Sequence, residues 1–186
     1  MPEKPAIVSI QNVVASVTLK QRLNLESIVM AFPKSEWRPE QFPGLVYRLK
    51  KPKTATLIFN SGKMVCTGAR SERLAKRAVM KVVKELKSNG IVIASKPDIH
   101  IQNIVASGNL FGRIDLEKTT YALKRTMYET EQFPGLIYRM DSPRTVMLLF
   151  ASGKFVCTGA KSESEVHEAV KNLQMNLEEK KVISYE

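Results

Sequence analysis

Glu40-Gln41-Phe42-Pro43-Gly44-Leu45-Val46-Tyr47-Arg48 returns as Glu131-Gln132-Phe133-Pro134-Gly135-Leu136-Ile137-Tyr138-Arg139, 91 residues later and with eight of nine positions identical. The same offset superposes Ile10-Gln11-Asn12-Val13-Val14-Ala15-Ser16 on Ile101-Gln102-Asn103-Ile104-Val105-Ala106-Ser107. It also superposes Asn60–Glu72 on Ala151–Glu163, where ten of thirteen residues match, and no gap is needed between. A fixed period of this length is the mark of one structural unit written twice. The chain therefore divides into two repeats, residues 1–92 and 93–186.

A length of 186 residues with 44% apolar content is enough to bury a substantial core. No run of 18 apolar residues occurs and the first residues are Met-Pro-Glu-Lys, so neither a spanning helix nor a secretory signal is expected. A soluble, intracellular protein is the expectation. Cys66 and Cys157 occupy the same slot of each repeat without a CxxC or a nearby His cluster, which favours buried thiols over a disulfide or zinc. The net charge of +11 points to polyanions. Residues 1–92 hold 17 Lys/Arg against 6 Asp/Glu and residues 93–186 hold 12 against 12, so the excess belongs to the first repeat.

Along the chain, residues 1–5 read as a frayed end and Ala6 to Leu19 as a long strand. Asn24 caps a short helix with Leu25, Ile28, Val29 and Phe32 at helical spacing, and Asp115 caps its copy, with Leu116, Thr119, Thr120 and Leu123. Strand-like segments follow at about Glu36–Arg38, Leu45–Leu49, Ala55–Phe59 and Met64–Thr67, separated by turns at Pro43-Gly44, Lys51-Pro52-Lys53 and Asn60-Ser61-Gly62-Lys63. Ser71 opens a long helix with Leu74, Ala75, Ala78, Val79, Val82, Val83 and Leu86 on one side, stopped by Asn89-Gly90. Its copy carries Val166, Ala169, Val170, Leu173 and Leu177. Consecutive antiparallel strands with two helices per repeat give an α+β layer.

Residues two apart on a strand share a face. One set is Asn12, Val14, Leu57, Phe59, Val65 and Thr67, copied as Asn103, Val105, Leu148, Phe150, Val156 and Thr158. The opposite set, Val13, Ala15, Ile58, Met64 and Cys66, is equally apolar, and two helices can cover only one of the two. Either the repeats close face to face as a sandwich, or one apolar face is left open as a binding surface. An asparagine in the middle of the central strand of both copies argues against a dry core, where an unpaired amide costs about 1–3 kcal/mol. Phe42 and Phe59, with Phe133 and Phe150, place two rings beside the turns of each repeat.

The motifs IQNxVAS, EQFPGLxYR and LxFxSGKxVxTGA[RK]SE in duplicate resemble the core of the TATA-box-binding protein family, from about Ile7 to Leu177, and the Glu-Gln-Phe-Pro-Gly of the first copy is similar to archaeal members. The resemblance implies a saddle: ten antiparallel strands in one curved sheet, four helices on the convex side, and the concave side along a DNA minor groove. It implies a general transcription initiation factor that is not an enzyme, has no cofactor or metal, and kinks an A·T-rich TATA box, a behaviour for which this family is itself the stock example. By position, Phe42 with Phe59 and Phe133 with Phe150 are implied to insert between base steps. Asn12, Asn103, Thr67 and Thr158 are implied to hydrogen-bond base edges, with Val14, Val105, Leu57, Leu148, Val65 and Val156 in apolar contact. Arg48, Arg139, Ser61, Ser152, Lys63, Lys154, Gln11 and Gln102 are implied to hold the DNA backbone. Glu129 and Glu131 are implied to dock a B-type initiation factor, which brings in RNA polymerase indirectly. The implied location is the cytoplasm, with the nucleoid, for an archaeal member and the nucleus for a eukaryotic one, away from membranes; weak homodimerisation through the saddle is left open.

The long basic helix, with Arg73, Lys76, Arg77, Lys81, Lys84 and Lys87, departs from the many acidic archaeal members. It reads as a solvated face, the alternative being a contact for a partner or flanking DNA. His100 and His167 fall at unrelated repeat positions, and neither a Ser/His/Asp set nor a glycine-rich phosphate loop is present, so His100 reads as a strand residue and His167 as helix surface. Two other readings are a saddle module serving another nucleic acid and one serving protein interaction alone.

Overall fold

A computed structural model describes residues 4–185, so of the expected frayed end, residues 1–3 lie outside the described residues. In chain order the elements are β1 (Ile7–Thr18), α1 (Leu25–Ala31), β2 (Leu45–Lys50), β3 (Lys53–Ile58), β4 (Lys63–Ala69), α2 (Glu72–Ser88), β5 (Asp98–Asn109), β6 (Arg113–Ile114), α3 (Leu116–Ala122), β7 (Thr126–Met127), β8 (Leu136–Asp141), β9 (Arg144–Leu149), β10 (Lys154–Ala160), α4 (Glu163–Glu179) and β11 (Ile183–Ser184). The chain separates into a first unit, Asn12–Gln102, and a second unit made of the chain on either side of it. β1 and β5 each give residues to both.

Local chemistry sets the helices. Asn24, Ser71, Asp115 and Ser162 each accept the backbone N–H of the third helical residue on their side chain, satisfying a donor that has no intrahelical partner. α2 ends as Asn89-Gly90 predicts: Gly90 takes a φ of +90°, its N–H reaches the Lys87 carbonyl, and the Ile91 N–H reaches that of Leu86. α4 closes with the same pair of bonds at Lys181 and Val182, although a lysine stands at the left-handed position, with a φ of +57°.

The first unit orders its strands β2-β3-β4-β1 and the second β5-β10-β9-β8-β7, nine main-sheet strands among the described residues against the ten expected. The missing one is the segment at Glu36–Arg38, which pairs only as the single bridge Glu36–Val46, whereas its copy forms β7. β6 and β11 make a small two-stranded sheet that the sequence reading did not anticipate, because Ile183 and Ile114 pair across 69 residues.

One face of each sheet is sealed. In the first unit Val13, Ala15, Ile58, Met64 and Cys66 are fully buried, and Ala75, Ala78, Val79, Val82, Val83 and Leu86 of α2 are buried on the helix packed against β2, β3 and β4. Leu74, expected among them, stays partly exposed at the margin. In the second unit Ile104, Ala106, Met147, Leu149 and Cys157 are fully buried, as are Val166, Ala169, Leu173 and Leu177 of α4, which packs on β10. Each buried Val, Leu, Ile or Met among them contributes about 1.5–3 kcal/mol of transfer free energy. The Tyr47 hydroxyl donates to Glu85 at 2.6 Å, whereas its copy Tyr138 accepts from Asn176 at 3.1 Å.

Both cysteines are free and fully buried. Burial pushes the Cys157 thiol up to about 11 and raises that of Cys66 as well. A raised thiol pKa and an inaccessible sulfur both suppress attack. Native protein at about pH 8 should therefore give no reaction with a thiol-disulfide reagent, and denatured protein should titrate both cysteines. Rapid labelling of native protein would contradict this packing.

Candidate nucleic-acid interface

Among the described residues, no helix seals the opposite face of each sheet. Asn12, Val14, Leu57, Phe59, Val65 and Thr67 remain partly exposed, as do Asn103, Val105, Leu148, Phe150, Val156 and Thr158, so neither set is sealed as a sandwich core requires. Cross-strand register gathers them: Val46 faces Leu57 and Leu57 faces Val65, and in the second unit Ile137 faces Leu148 and Leu148 faces Val156. These are continuous apolar rows of the type that cross-strand pairing stabilises. α2 lies on the other side of its sheet, so the exposed cations Arg73, Lys76, Arg77, Lys81, Lys84 and Lys87 are not part of this face.

The asparagines do not wait unpaired. Asn12 Oδ1 accepts the Gly68 N–H at 2.6 Å while Asn12 Nδ2 donates to Thr67 Oγ1 at 3.0 Å. Asn103 repeats this with Gly159 at 2.7 Å and Thr158 at 3.3 Å. The amides expected to lack partners in a dry core thus each have protein partners within their own unit. The consequence is orientation. The glycine N–H pins the oxygen, which leaves the amide nitrogen beside the threonine hydroxyl with one N–H still to give. Gly68 and Gly159 sit where the strand register shifts, at φ of +103° and +98°, a conformation costly for any side chain. Sequence reading missed both glycines; the signal was the Gly-Ala that follows Thr67, where the predicted strand ends, and its copy after Thr158.

The rings pair as expected. Phe42 and Phe59 meet edge to face with centroids 5.9 Å apart, and Phe133 and Phe150 do so at 5.8 Å. Phe42 and Phe133 remain 43% and 39% exposed. Beneath each pair lies a glycine: a Cβ on Gly44 would stand 2.6 Å from the Phe42 ring, and one on Gly135 would stand 2.7 Å from that of Phe133. Both glycines are seats for the aromatic pair, a second feature not read from the sequence.

The remaining candidate residues border these faces. Arg48 and Arg139 are exposed on β2 and β8, Arg48 loosely paired with Glu36 at 3.9 Å. Lys63 and Lys154 are exposed at the starts of β4 and β10, where the Ser61 and Ser152 hydroxyls accept their backbone N–H groups at 3.4 Å. Gln11 donates to Ser107 at 2.9 Å and Gln102 to Ser16 at 2.8 Å. In the second unit an open groove of about 720 Å³ includes Ile7, Gln11, Phe150, Lys154 and Val156 in its lining. Glu129 and Glu131 are exposed, and the Glu129 carbonyl accepts the N–H groups of Gln132 and Phe133 in the turn that carries the ring. His100 and His167 are exposed, on β5 and α4, and among the described residues no cluster of His, Cys, Asp and Glu could hold a metal. Among the described residues, too, no helix is long and apolar enough to cross a membrane.

The glycine seats give a direct expectation. Gly44→Ala should swing the exposed Phe42 ring away and abolish its through-space NMR contact with Phe59, at a stability loss of about 1 kcal/mol or less because the ring has solvent to move into. An unchanged ring contact would show that the glycine is not what seats the pair.

The family described as "Transcription factor TFIID (or TATA-binding protein, TBP)" matches residues 7–89 and 98–180. A TATA-box-binding protein of Pyrobaculum calidifontis is 52% identical over 186 residues, covering all of this chain and 94% of that protein. One from Sulfolobus acidocaldarius is 54% identical over 168 residues, 90% of this chain and 85% of that protein. The solved structure of Methanococcus jannaschii TBP superposes with a TM-score of 0.85 at 46% identity, over 92% of this chain and 98% of that one. With matches in both repeats and identity above half across the whole length, this chain belongs to the TATA-binding protein family.

Proposed function

We propose that this protein acts in transcription initiation by binding an A·T-rich box through the minor groove, with the repeats 1–92 and 93–186 each supplying one set of contacts. The observation that carries the reading is the duplicated open face, where an oriented Asn-Thr donor group lies among apolar side chains next to a Phe pair. In the minor groove A·T pairs present only acceptors, whereas G·C adds an amino donor. A surface of Val14, Leu57, Val65 and their copies around the free N–H of Asn12 and Asn103 accepts the first pattern and meets the second with a collision and an unmatched donor. The Phe42–Phe59 and Phe133–Phe150 pairs insert between base steps and kink the duplex, the mechanism for which this family is the stock example. Flexible TA steps lower the cost of that deformation. Arg48, Arg139, Lys63, Lys154, Ser61, Ser152, Gln11 and Gln102 hold phosphates and sugars, adding affinity and salt dependence more than sequence preference.

Near-identity of the two faces leaves direction to residues that differ between the copies. The segment Tyr128-Glu129-Thr130-Glu131 is more acidic than Ser35-Glu36-Trp37-Arg38-Pro39-Glu40, and Glu129 and Glu131 dock the B-type initiation factor, through which polymerase is recruited. Without DNA the same apolar face supports weak self-association.

A gel-shift comparison tests the core of this. The A·T box should be bound more tightly than a G·C-substituted one, by about 1–3 kcal/mol per changed pair. Phe59→Ala and Phe150→Ala should each reduce box affinity on the order of tenfold and shrink the bend seen by end-to-end fluorescence transfer. Equal affinity for both DNAs would instead favour a protein-interaction module. Reversing the charge of Glu129 and Glu131 together should reduce capture of the B-type factor on preformed protein–DNA complex and leave box affinity unchanged; equal loss of both would refute the docking assignment.

A further inference from the structure

The cations of the first repeat gather on one helix, away from the open face. Arg73, Lys76, Arg77, Lys81, Lys84 and Lys87 are all exposed on α2, whose other side is buried against β2, β3 and β4. The layer itself does not require them. On α4 the same six places hold Ser164, His167, Glu168, Asn172, Met175 and Glu178, and that helix is buried along its inner side just as well. Nor do partners within the protein neutralise them. Among the described residues none of the six makes an ion pair, and of the two acids on α2, Glu85 accepts the Tyr47 hydroxyl at 2.6 Å and Glu72 lies in the first turn. Lys81 Nζ donates to the Lys51 carbonyl at 2.6 Å, a bond that Asn172 reproduces to the Ser142 carbonyl at 2.9 Å in the second unit, so holding that turn needs a donor and not a charge.

The patch has the dimensions of a row of phosphates. Arg73 and Lys87 lie about 21 Å apart along the helix at 1.5 Å per residue, a length that spans about six phosphates of one DNA strand. The β2–β3 turn widens it. An open groove of about 880 Å³ includes Lys51, Arg77, Lys81 and Lys84 in its lining, and Lys50 and Lys53 are exposed on either side of that turn. The composition also separates a nucleic acid from a protein partner. Protein interfaces favour aromatic anchors and are poor in lysine. α2 carries no aromatic residue, and Met80 is its exposed large apolar side chain among the described residues.

We propose that the outward side of α2, with Lys51 of the adjoining turn, is a second DNA site that holds any duplex by its phosphates. Flexible Lys and Arg heads on phosphate oxygens give salt-sensitive binding without base preference. The site lies across the first unit's sheet from the face assigned to the A·T box, so one molecule holds a box on one side and an unrelated duplex on the other. It uses none of the residues assigned to the box and stands independently of that assignment. The second unit has no such site, since Glu168 and Glu178 stand where Arg77 and Lys87 do.

The probe is a labelled G·C duplex of about 20 base pairs, roughly two helical turns. Added to free protein, it should move the amide NMR signals of Lys76 to Lys87. Arg77→Glu, Lys81→Asn and Lys84→Met together write the α4 residues into α2 and keep a donor for the Lys51 carbonyl. At about 50 mM salt that variant should bind the duplex about tenfold or more weakly, and its slope of log affinity against log salt should fall by about two to three. Beads carrying an A·T box should retain both proteins equally, and only the unaltered one should then capture the labelled duplex. Should the triple variant not fold, Lys76→Gln with Lys87→Gln should lower the slope by about one to two. Undiminished binding with an unchanged slope in a folded variant, α2 signals that ignore the duplex, or no capture by protein retained on the box would each overturn the proposal. Tighter binding of a polyglutamate peptide than of the duplex at α2 would overturn it in favour of an acidic protein partner.

Discussion

A β-strand sends alternate side chains to opposite sides of its sheet, and each unit of this protein has one long helix with which to cover them. That mismatch between two apolar faces and one cover governs the rest. α2 and α4 reduce Val13, Ala15, Ile58 and Met64, and Ile104, Ala106 and Met147, to complete burial, while Val14, Leu57 and Val65 and their copies stay partly exposed. The buried face supplies the driving force for folding. Its stability is what permits the other face to remain unsatisfied, because a well-packed layer holds the strand register that a one-residue slip would destroy.

The open face is held ready rather than left loose. Gly68 and Gly159 fix which end of each asparagine amide faces outward, and Gly44 and Gly135 fix where the Phe42 and Phe133 rings rest. Groups pre-set in this way lose less freedom on meeting a ligand, which improves affinity without any added contact. In all four positions it is the missing Cβ that creates the arrangement.

Duplication makes each unit a control for the other. Glu85 and Asn176 serve the same tyrosine from the same helical position with different chemistry. α2 carries Arg73, Lys76, Arg77, Lys81, Lys84 and Lys87 where α4, on an equivalent layer, carries Glu163, Glu165, Glu168, Glu178 and Glu179, so the shared architecture demands neither charge. At the sheet edges Arg125 pairs with Asp141 where the first repeat has Lys34 and Lys50, and one segment is a strand where its copy is a single bridge.

The repeat, the two faces of each strand, the helix caps at Asn24, Ser71 and Asp115 and the Phe pairs were legible in the residues alone, because period, polarity and capping chemistry are local properties. Nonapeptides that match at eight of nine positions, 91 residues apart, also announced that the two halves share one design. The tertiary structure alone decided which face the helices cover, since both sets are equally apolar and only packing breaks the tie. It decided that the asparagine amides are braced by glycine N–H groups 56 residues away, that β6 pairs with β11, and that the first repeat's edge strand fails to form. Each of those depends on groups far apart in the chain, where sequence pattern carries no record of distance.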